Sequence, residues 1–327
     1  MKLFNIQGLR KKKPIPGVDR PLRVFVTGTT GYLGSAVVRE FARAGHEVTG
    51  MTRWAENTLD VKDLGARAVV GDVKSSDTFR RVAAKHDVLI HLASEASADA
   101  QVADKGAIEA LLGAAKQYER EKEEPPRIVI YTSGVFVLGD TGDTPADETA
   151  STDYPAEVVA WRPAHEKRVL DAASEDVATA VIRPGIVYGG GKGLISAFFE
   201  SAVMEGAARF VGDGTNRWSP VHVGDVARLY RMVAEERAGG IFHCTEERAV
   251  PVAELARAAS AAAGRGGKVH AVPLEEARAT MGPFADALAL DQVVVSPRAK
   301  ELGWAPEHPP FMESAGEVFR EWEEARR

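Results

Sequence analysis

The chain has 327 residues, of which 45% are hydrophobic and 27% are charged, so it is long and apolar enough to bury a sizeable core. This length predicts one large domain, or a domain with a smaller lobe. The net charge of −6 is spread along the sequence, and no basic stripe is interleaved with aromatic residues, which argues against a nucleic-acid partner. No apolar run reaches the ~18 residues that a membrane span needs, and the first residues lack the apolar core of a signal peptide. With a single cysteine, Cys244, an intrachain disulfide is excluded, and we expect a cytoplasmic protein.

The segment 23–38 carries the clearest functional pattern. An apolar run at 24–26 is followed by Gly28, Gly31 and Gly34, spaced three apart, and then by a periodic helical segment. This is the strand, glycine turn and helix of a dinucleotide-binding βαβ unit. Gly28 permits the tight turn, Gly31 lets a pyrophosphate approach the backbone, and Gly34 lets the helix pack against the strand. The helix N-terminus presents free N–H groups and a positive dipole end to the phosphates.

Strand-like and helical segments alternate after this unit. Further strands are predicted at 45–53, 66–73, 87–94, 127–133 and 177–185, and an Ala-rich helix at 105–118. This alternation predicts an α/β fold with a doubly wound parallel Rossmann sheet.

The alternation also suggests how the chain is divided. Residues 1–21 are predicted to form an N-terminal arm, and 22–190 a Rossmann domain that binds NADP. Past about 190 the alternation loosens, so 191–327 is predicted to form mainly a smaller C-terminal α/β substrate lobe. Part of it, near 220–245, is expected to return to the Rossmann domain.

The chain resembles the extended branch of the short-chain dehydrogenase/reductase superfamily, which contains sugar epimerases and dehydratases. The resemblance covers residues 22–310, with the motifs in the family's order and at its spacing. They are Thr27-Gly28-Thr29-Thr30-Gly31-Tyr32-Leu33-Gly34, Gly71-Asp72-Val73, His91-Leu92-Ala93, and the segments 183–189, 221–227 and 302–306.

The end of the second strand bears on the choice of cofactor. The family places an acidic residue here to accept the ribose hydroxyls of NAD, whereas this chain has Thr52 and Arg53. The missing carboxylate removes a repulsion and a guanidinium can bind a 2′-phosphate bidentately, so we expect NADP rather than NAD. The alternative is that Arg53 merely solvates the strand end. The resemblance implies cofactor contacts from Gly28, Thr30, Gly31, Tyr32, Leu33, Gly34, Arg53, Asp72, Val73, Leu92, Ala93, Ser94, Thr132, Pro184 and Gly185.

The catalytic residues that the resemblance implies are missing. Alignment places Gly134 where the family has its Ser, Trp161 where it has Tyr and His165 where it has Lys. An indole N–H does not donate a proton near neutral pH. These departures are typical of atypical members, which keep the glycine motif and lose the active-site residues.

Three residues are candidates to replace them. Histidine is the residue type that exchanges protons near neutral pH, so His165 is either a proton relay or ribose partner, or an ordinary helix-surface histidine. Ser133 either orients a carbonyl oxygen or caps the strand end. Tyr154 either enters the site as a substitute acid or only anchors its loop.

Further residues are candidates for substrate contact. Arg217 and Trp218, in the loop 212–218, offer a guanidinium and an indole to an oxygen-rich or planar ligand, and Trp161 is expected to face the substrate as well. The alternative for Trp218 is a core position. No spacing of His, Cys, Asp and Glu indicates a catalytic metal.

Together these features predict an NADP(H)-binding oxidoreductase or epimerase-like enzyme that acts on a carbonyl or alcohol of a small molecule. The alternative is a catalytically silent protein that senses NADP(H) or regulates a partner. The resemblance also implies a possible homodimer.

Overall fold

The computed structural model describes residues 20–94, 99–117, 125–246 and 248–327. The predicted arm at 1–21 lies outside these ranges except for its last two residues. The strands are β1 (Arg23–Thr27), β2 (Glu47–Thr52), β3 (Arg67–Val70), β4 (Val88–His91), β5 (Arg127–Thr132), β6 (Val177–Pro184), β7 (Ile186–Tyr188), β8 (Ala208–Val211), β9 (Arg217–Trp218), β10 (Pro220–His222), β11 (Gly240–Cys244), β12 (Val250–Pro251) and β13 (Val269–Val272).

The α-helices of the described residues are α1 (Tyr32–Ala44), α2 (Thr58–Asp63), α3 (Arg80–Ala83), α4 (Ala100–Ala115), α5 (Arg162–Leu170), α6 (Ser196–Glu205), α7 (Val223–Glu235), α8 (Val252–Ala262), α9 (Leu274–Met281), α10 (Phe284–Ala289), α11 (Pro297–Glu301) and α12 (Phe311–Glu324). In this part of the chain, none is both long enough and apolar enough to cross a membrane.

Seven strands form one parallel sheet in the order β11-β6-β5-β4-β1-β2-β3. The prediction of a doubly wound Rossmann sheet is therefore confirmed. The chain moves outward from β1 in one direction through β2 and β3, and in the other through β4 and β5. The direction reverses between β1 and β4, and ligands of open α/β sheets bind at the carboxyl ends of the strands beside such a point.

Alternate side chains of the strands build the core on the two faces of the sheet. Val24 and Val26 of β1 pack against α1 and α7, in a cluster that includes Phe41 and Tyr230. Phe25, between them in sequence, points to the opposite face and packs with residues of α3 and α4. Both faces are thus covered by helices, which accounts for strands that are apolar throughout.

A second core lies in the C-terminal part of the chain. Its members include Phe198, Trp218, Phe311 and Trp322, from α6, β9 and α12. Short strand pairs accompany it, β8 with β13 and β9 with β12. The segment 223–244 instead supplies α7 and β11 to the main sheet and its covering layer, where Cys244 is buried.

Candidate cofactor and substrate site

The glycine turn brings the ends of β1 and β4 close together. Gly28 has a φ of +69°, and a Cβ there would lie 2.5 Å from the backbone nitrogen of Ala93. A Cβ on Gly34 would lie 2.0 Å from the carbonyl oxygen of Gly28. The lack of a side chain at Gly34 is therefore what lets α1 pack directly against the turn. A Cβ on Gly31 would meet only that same oxygen, at 3.1 Å, among the described residues. The open side of Gly31 lines a cavity, as close approach of a phosphate requires.

This first cavity, of about 510 Å³, lies at the carboxyl ends of β1, β2 and β4. Nine of the fifteen predicted cofactor residues line it, whereas six do not: Leu33, Gly34, Asp72, Thr132, Pro184 and Gly185. Asp72 instead lies 3.9 Å from Arg53. The lining residues are Gly28, Thr30, Gly31, Tyr32, Met51, Thr52, Arg53, Trp54, Asn57, Gly71, Val73, Leu92, Ala93 and Ser94.

The N-terminus of α1 meets this cavity without a cap. No described side chain accepts a hydrogen bond from its first N–H groups, and its first turn carries no acidic residue. The positive end of the helix dipole therefore faces the cavity through Gly31 and Tyr32. The glycine approach, the uncapped helix and the volume together fit a dinucleotide pyrophosphate and its adenosine.

Sequence reasoning missed Trp54, which is 57% exposed and lines the first cavity. An exposed aromatic ring directly after Arg53, at the end of β2, is the signal that could have identified it. Met51, Asn57 and Gly71 also line the cavity and were not predicted.

A second cavity of about 280 Å³ shares the side chain of Tyr32 with the first. The hydroxyl of Tyr32 donates to the carbonyl of Gly189 at 2.8 Å, which fixes the ring between the two cavities. The lining includes four predicted cofactor residues, Leu33, Thr132, Pro184 and Gly185. The remaining lining residues are Ser133, Gly134, Val135, Phe136, Ile186, Val187, Gly193 and Leu194.

Ser133 is the polar feature of this second cavity. Its Oγ atom is buried and makes no hydrogen bond within the described chain, while its backbone N–H donates to Ile182 at 2.9 Å. The alternative that its side chain caps the strand end is therefore wrong. A buried hydroxyl without a partner is costly unless a ligand supplies one.

His165 is buried, with 5% of its surface exposed, so the alternative of an ordinary surface histidine is wrong. Its Nδ1 atom lies 2.7 Å from Asp104 of α4, which also accepts a hydrogen bond from Tyr131 at 2.9 Å. His91 Nε2 lies 3.3 Å from the same carboxylate. Burial raises the pKa of Asp104, but His165 and His91 outweigh it and hold that pKa well below its usual value. His165 lines neither cavity, and its catalytic role stays a prediction.

The hydrogen bonds of Thr27 determine the tautomer of His91. The Thr27 hydroxyl oxygen accepts the N–H groups of Leu92 and Ala93 at 3.2 and 3.3 Å. Its own proton therefore points to His91 Nδ1, 2.7 Å away, and the ring proton is left on Nε2, which lies 3.3 Å from Asp104 without the geometry of a hydrogen bond.

Tyr154 does not belong to the site. The residue is 87% exposed and lines neither cavity, while its backbone carbonyl packs on Gly139. The prediction that Tyr154 serves as a substitute acid is contradicted by this position. Trp161 also lines neither cavity; its ring meets His165 edge-on at 4.9 Å.

Arg217 and Trp218 are not available to a ligand, which corrects the prediction of a substrate loop. Arg217 Nε donates to Asp291 at 2.8 Å, and Nη2 pairs with Asp291 and Asp143. Trp218 is 3% exposed, stacks on Phe198 and donates its indole N–H to a backbone carbonyl at 3.2 Å. The alternative of a core position for Trp218 is correct.

His222, Asp225 and His308 form a cluster in which the possible metal-ligand atoms lie within 4.8 Å of one another. The two imidazole rings are stacked, with centroids 3.7 Å apart, so their in-plane lone pairs do not converge on one ion. His222 Nδ1 accepts the N–H of Gly224 at 3.1 Å and caps α7, while Asp225 lies 3.2 Å from His308. This geometry is that of a structural contact between α7 and the segment before α12.

The fold and this pair of cavities define a protein of the Rossmann class, whose members bind ligands at this edge of the sheet. A family model described as the NAD dependent epimerase/dehydratase family matches residues 24–244, and the chain belongs to that family. A protein of Schizosaccharomyces pombe described as uncharacterized is 30% identical over 89% of this chain and 97% of its own length. The 4-hydroxy-2-methyl-3-oxo-4-farnesyl-3,4-dihydroquinoline-1-oxide ketoreductase of Stigmatella aurantiaca is 27% identical over 79% of this chain and 78% of its own.

Solved structures show the same fold. The UDP-glucose 4-epimerase of Thermotoga maritima superposes with a TM-score of 0.77 at 20% identity, over 94% of this chain and 100% of that one. The human epimerase family protein SDR39U1, solved with NADPH, has a TM-score of 0.72 at 21% identity, over 91% and 99%.

Proposed function

We propose that this protein is an NADP(H)-dependent oxidoreductase that reduces the carbonyl group of a small molecule, or oxidises the corresponding alcohol, without the usual Ser-Tyr-Lys set. The observation that carries the proposal is the pair of cavities joined at Tyr32, the second of which is lined by Ser133 among mainly apolar residues. The first has the glycine turn and uncapped helix that suit a pyrophosphate, and the second has room for a nicotinamide beside a small substrate. The named activity of the Stigmatella relative supports a ketone as the group that is reduced.

The preference for NADP rests on Arg53. It lines the first cavity where related enzymes that use NAD have a carboxylate, and a guanidinium there matches a 2′-phosphate. Arg53 lies 3.9 Å from Asp72, a distance at which a phosphate competes readily for the guanidinium. The NADPH in the human structural relative supports the same choice.

The cofactor would be held by the backbone around Gly31, the N-terminus of α1 and the rings of Tyr32 and Trp54. When bound, it supplies hydride chemistry at the second cavity. Burial raises the pKa of Tyr32 and of Tyr131, so both phenols are weaker proton donors than the catalytic tyrosine that the chain lacks.

Titration with NADPH, NADP+, NADH and NAD+, followed by quenching of tryptophan fluorescence, tests the proposal. We expect the phosphorylated forms to bind more tightly. Arg53→Ala should lower their affinity about tenfold, the loss of about one charge-assisted hydrogen bond, with little effect on NADH. Arg81→Ala, an exposed arginine on α3, is the matched control.

Oxidation of NADPH in the presence of a panel of ketones then tests turnover. Failure of every nucleotide to bind would overturn the proposal as a whole. Tight binding of a single redox state, with no ketone reduced, would instead favour a sensor.

A further inference from the structure

The loop that follows β7 carries a single side chain among glycines. Residues 189–193 read Gly-Gly-Gly-Lys-Gly, and the four glycines all have positive φ, a conformation that other residues rarely adopt. Lys192 is therefore the residue of this stretch that brings a functional group. We call residues 189–193 the Lys192 loop.

Contacts on two sides hold the Lys192 loop in place. On one side, the hydroxyl of Tyr32 donates to the carbonyl oxygen of Gly189 at 2.8 Å, and a Cβ on Gly193 would lie 3.2 Å from the Tyr32 ring. On the other side, the backbone N–H of Gly190 donates to the carboxylate of Glu321 in α12 at 2.8 Å. Since Tyr32 is the first residue of α1, these contacts hold the loop beside the start of that helix.

A third cavity, of about 460 Å³, adjoins the first one. Thr30 and Tyr32 line both cavities, so the two meet at the glycine turn, and Lys192 lines the third. From α2, Asp60 and Asp63 line the third cavity as well, but neither forms an ion pair with Lys192. The ammonium group of Lys192 is exposed and has no hydrogen-bond or ion-pair partner among the described residues. It is therefore open to a ligand that reaches the glycine turn.

The first cavity has little positive charge for a dinucleotide. Among the described residues, Arg53 is the one cationic side chain that lines it, and the proposed function assigns Arg53 to the 2′-phosphate. The pyrophosphate adds further negative charge, and the N-terminus of α1 supplies the equivalent of only about half a positive charge. A cation that reaches the glycine turn from outside the first cavity would stabilise the bound pyrophosphate.

Two cationic side chains line the third cavity, Arg39 and Lys192. Arg39 lies seven residues after Tyr32 in α1, which is about 10 Å further along the helix axis. Lys192 instead belongs to the loop that packs on the ring of Tyr32, and its flexible four-carbon stem ends in a compact charge. Of the two, Lys192 is the better placed for a phosphate at the start of α1.

We propose that Lys192 binds the pyrophosphate of the dinucleotide, and that the Lys192 loop serves to hold it at the glycine turn. The inference rests on the proposed function and adds to it the residue that neutralises the phosphates. The two cations then have different roles. Arg53 recognises the 2′-phosphate and so distinguishes NADP(H) from NAD(H), whereas Lys192 pairs with a group that all four nucleotides share.

Calorimetric titration of the wild type, Lys192→Met and Arg53→Ala with NADPH and NADH separates these roles. We expect Lys192→Met to weaken the binding of both nucleotides about fivefold at low ionic strength, the upper range for an exposed ion pair. Arg53→Ala should weaken NADPH binding alone. The effect of Lys192→Met should shrink in about 0.5 M salt, because an exposed charge is screened.

A fragment of the cofactor and two further variants are the controls. 2′-AMP has the 2′-phosphate but no pyrophosphate, so it should compete with NADPH equally well on the wild type and on Lys192→Met. Lys192→Arg keeps the charge and should keep most of the affinity. Lys62→Met, an exposed lysine of α2 that lines none of the three cavities, is the matched control for loss of a charge on this side of the molecule. Thermal unfolding of each variant shows that it is folded.

Equal affinity of the wild type and Lys192→Met for both NADPH and NADH would overturn this inference and leave the proposed function in place. An equal loss of affinity in Lys62→Met would reduce the effect to general charge and overturn it too. So would a loss of 2′-AMP affinity in Lys192→Met, because the adenosine end of the site would then be disturbed. Failure of every nucleotide to bind the wild type would instead overturn the proposed function, so the two failures are distinguishable.

Discussion

Two helical glycines differ in what an added methyl group would meet. At Gly34 in α1 a Cβ would lie 2.0 Å from the carbonyl oxygen of Gly28, whereas at Gly106 in α4 the nearest atom, a carbonyl oxygen, is 4.0 Å away. Gly34→Ala must displace the turn that lines the first cavity. We expect it to lower the free energy of unfolding by more than about 2 kcal/mol and to abolish NADPH binding.

Gly106→Ala is the matched control for this change. It removes the backbone entropy of a helical glycine without a clash, so it should raise the free energy of unfolding by about 0.4–1 kcal/mol. Urea denaturation measures both variants. If the two had the same stability, the close contact at Gly34 would have no energetic weight.

At the scale of elements, α7 and the segment before α12 are joined by His222, Asp225 and His308. The hydrogen bond with Asp225 raises the pKa of His308, and Glu321 acts in the same sense. The stability that protonated His308 contributes is therefore present below pH 6.5 and is lost as pH rises through the raised pKa. Burial, followed by the charge of His308, lowers the pKa of His222 to about 4. The stability that the neutral His222 ring contributes is therefore present above pH 6.5 and is lost as pH falls from 6.5 towards 4. The two histidines therefore give stability opposite pH dependences on the two sides of the ordinary histidine pKa.

We therefore expect His308→Gln to flatten the pH dependence of stability on both sides. The decline above pH 6.5 should disappear, and the decline below it should become smaller because His222 loses a repelling neighbour. Urea unfolding midpoints between about pH 5 and pH 8 measure this, with His270→Gln, an exposed histidine, as the control. Identical profiles for His308→Gln and the wild type would contradict the assigned pKa directions.

The elements that the sequence predicts are those whose signal is local. The glycine turn and the apolar strand β4 are written in contiguous residues, and both lie within a few residues of their predicted positions. Contacts between distant segments are not written in this way. Asp291, 74 residues from Arg217 in sequence, takes that guanidinium away from the predicted substrate site.

Arg162 illustrates the same limit at one position of α5. It follows directly after Trp161, which aligns with the family's tyrosine, and the alignment itself assigns no role to position 162. Only the fold shows that its side chain reaches the end of β5 and bonds to Thr132. The alignment carries no information on this contact, because Arg162 and Thr132 are 30 residues apart in sequence.

At the scale of the whole molecule, the first cavity and the C-terminal core use different parts of the chain. The first cavity is lined entirely by residues between Gly28 and Ser94, whereas Trp218 and Phe198 belong to a core built from residue 186 onward. Trp54 and Trp218 are therefore the same residue type in opposite situations, 57% and 3% exposed. A substitution in the core should therefore leave NADPH affinity unchanged, and a substitution in the first cavity should leave stability unchanged.

Replacing each of these tryptophans by alanine tests the division. Trp218→Ala removes a ring stacked on Phe198 and leaves a cavity in the core, so it should cost about 3–5 kcal/mol of unfolding free energy while NADPH affinity is kept in the folded protein. Trp54→Ala should change stability by less than about 0.5 kcal/mol, because the ring is exposed, and should weaken NADPH binding several-fold through the lost contact with the nucleotide. Urea denaturation and calorimetric NADPH titration on both variants measure the two effects. Loss of NADPH affinity in a stable Trp218→Ala variant would return Trp218 to the ligand site and contradict the separation of the two parts.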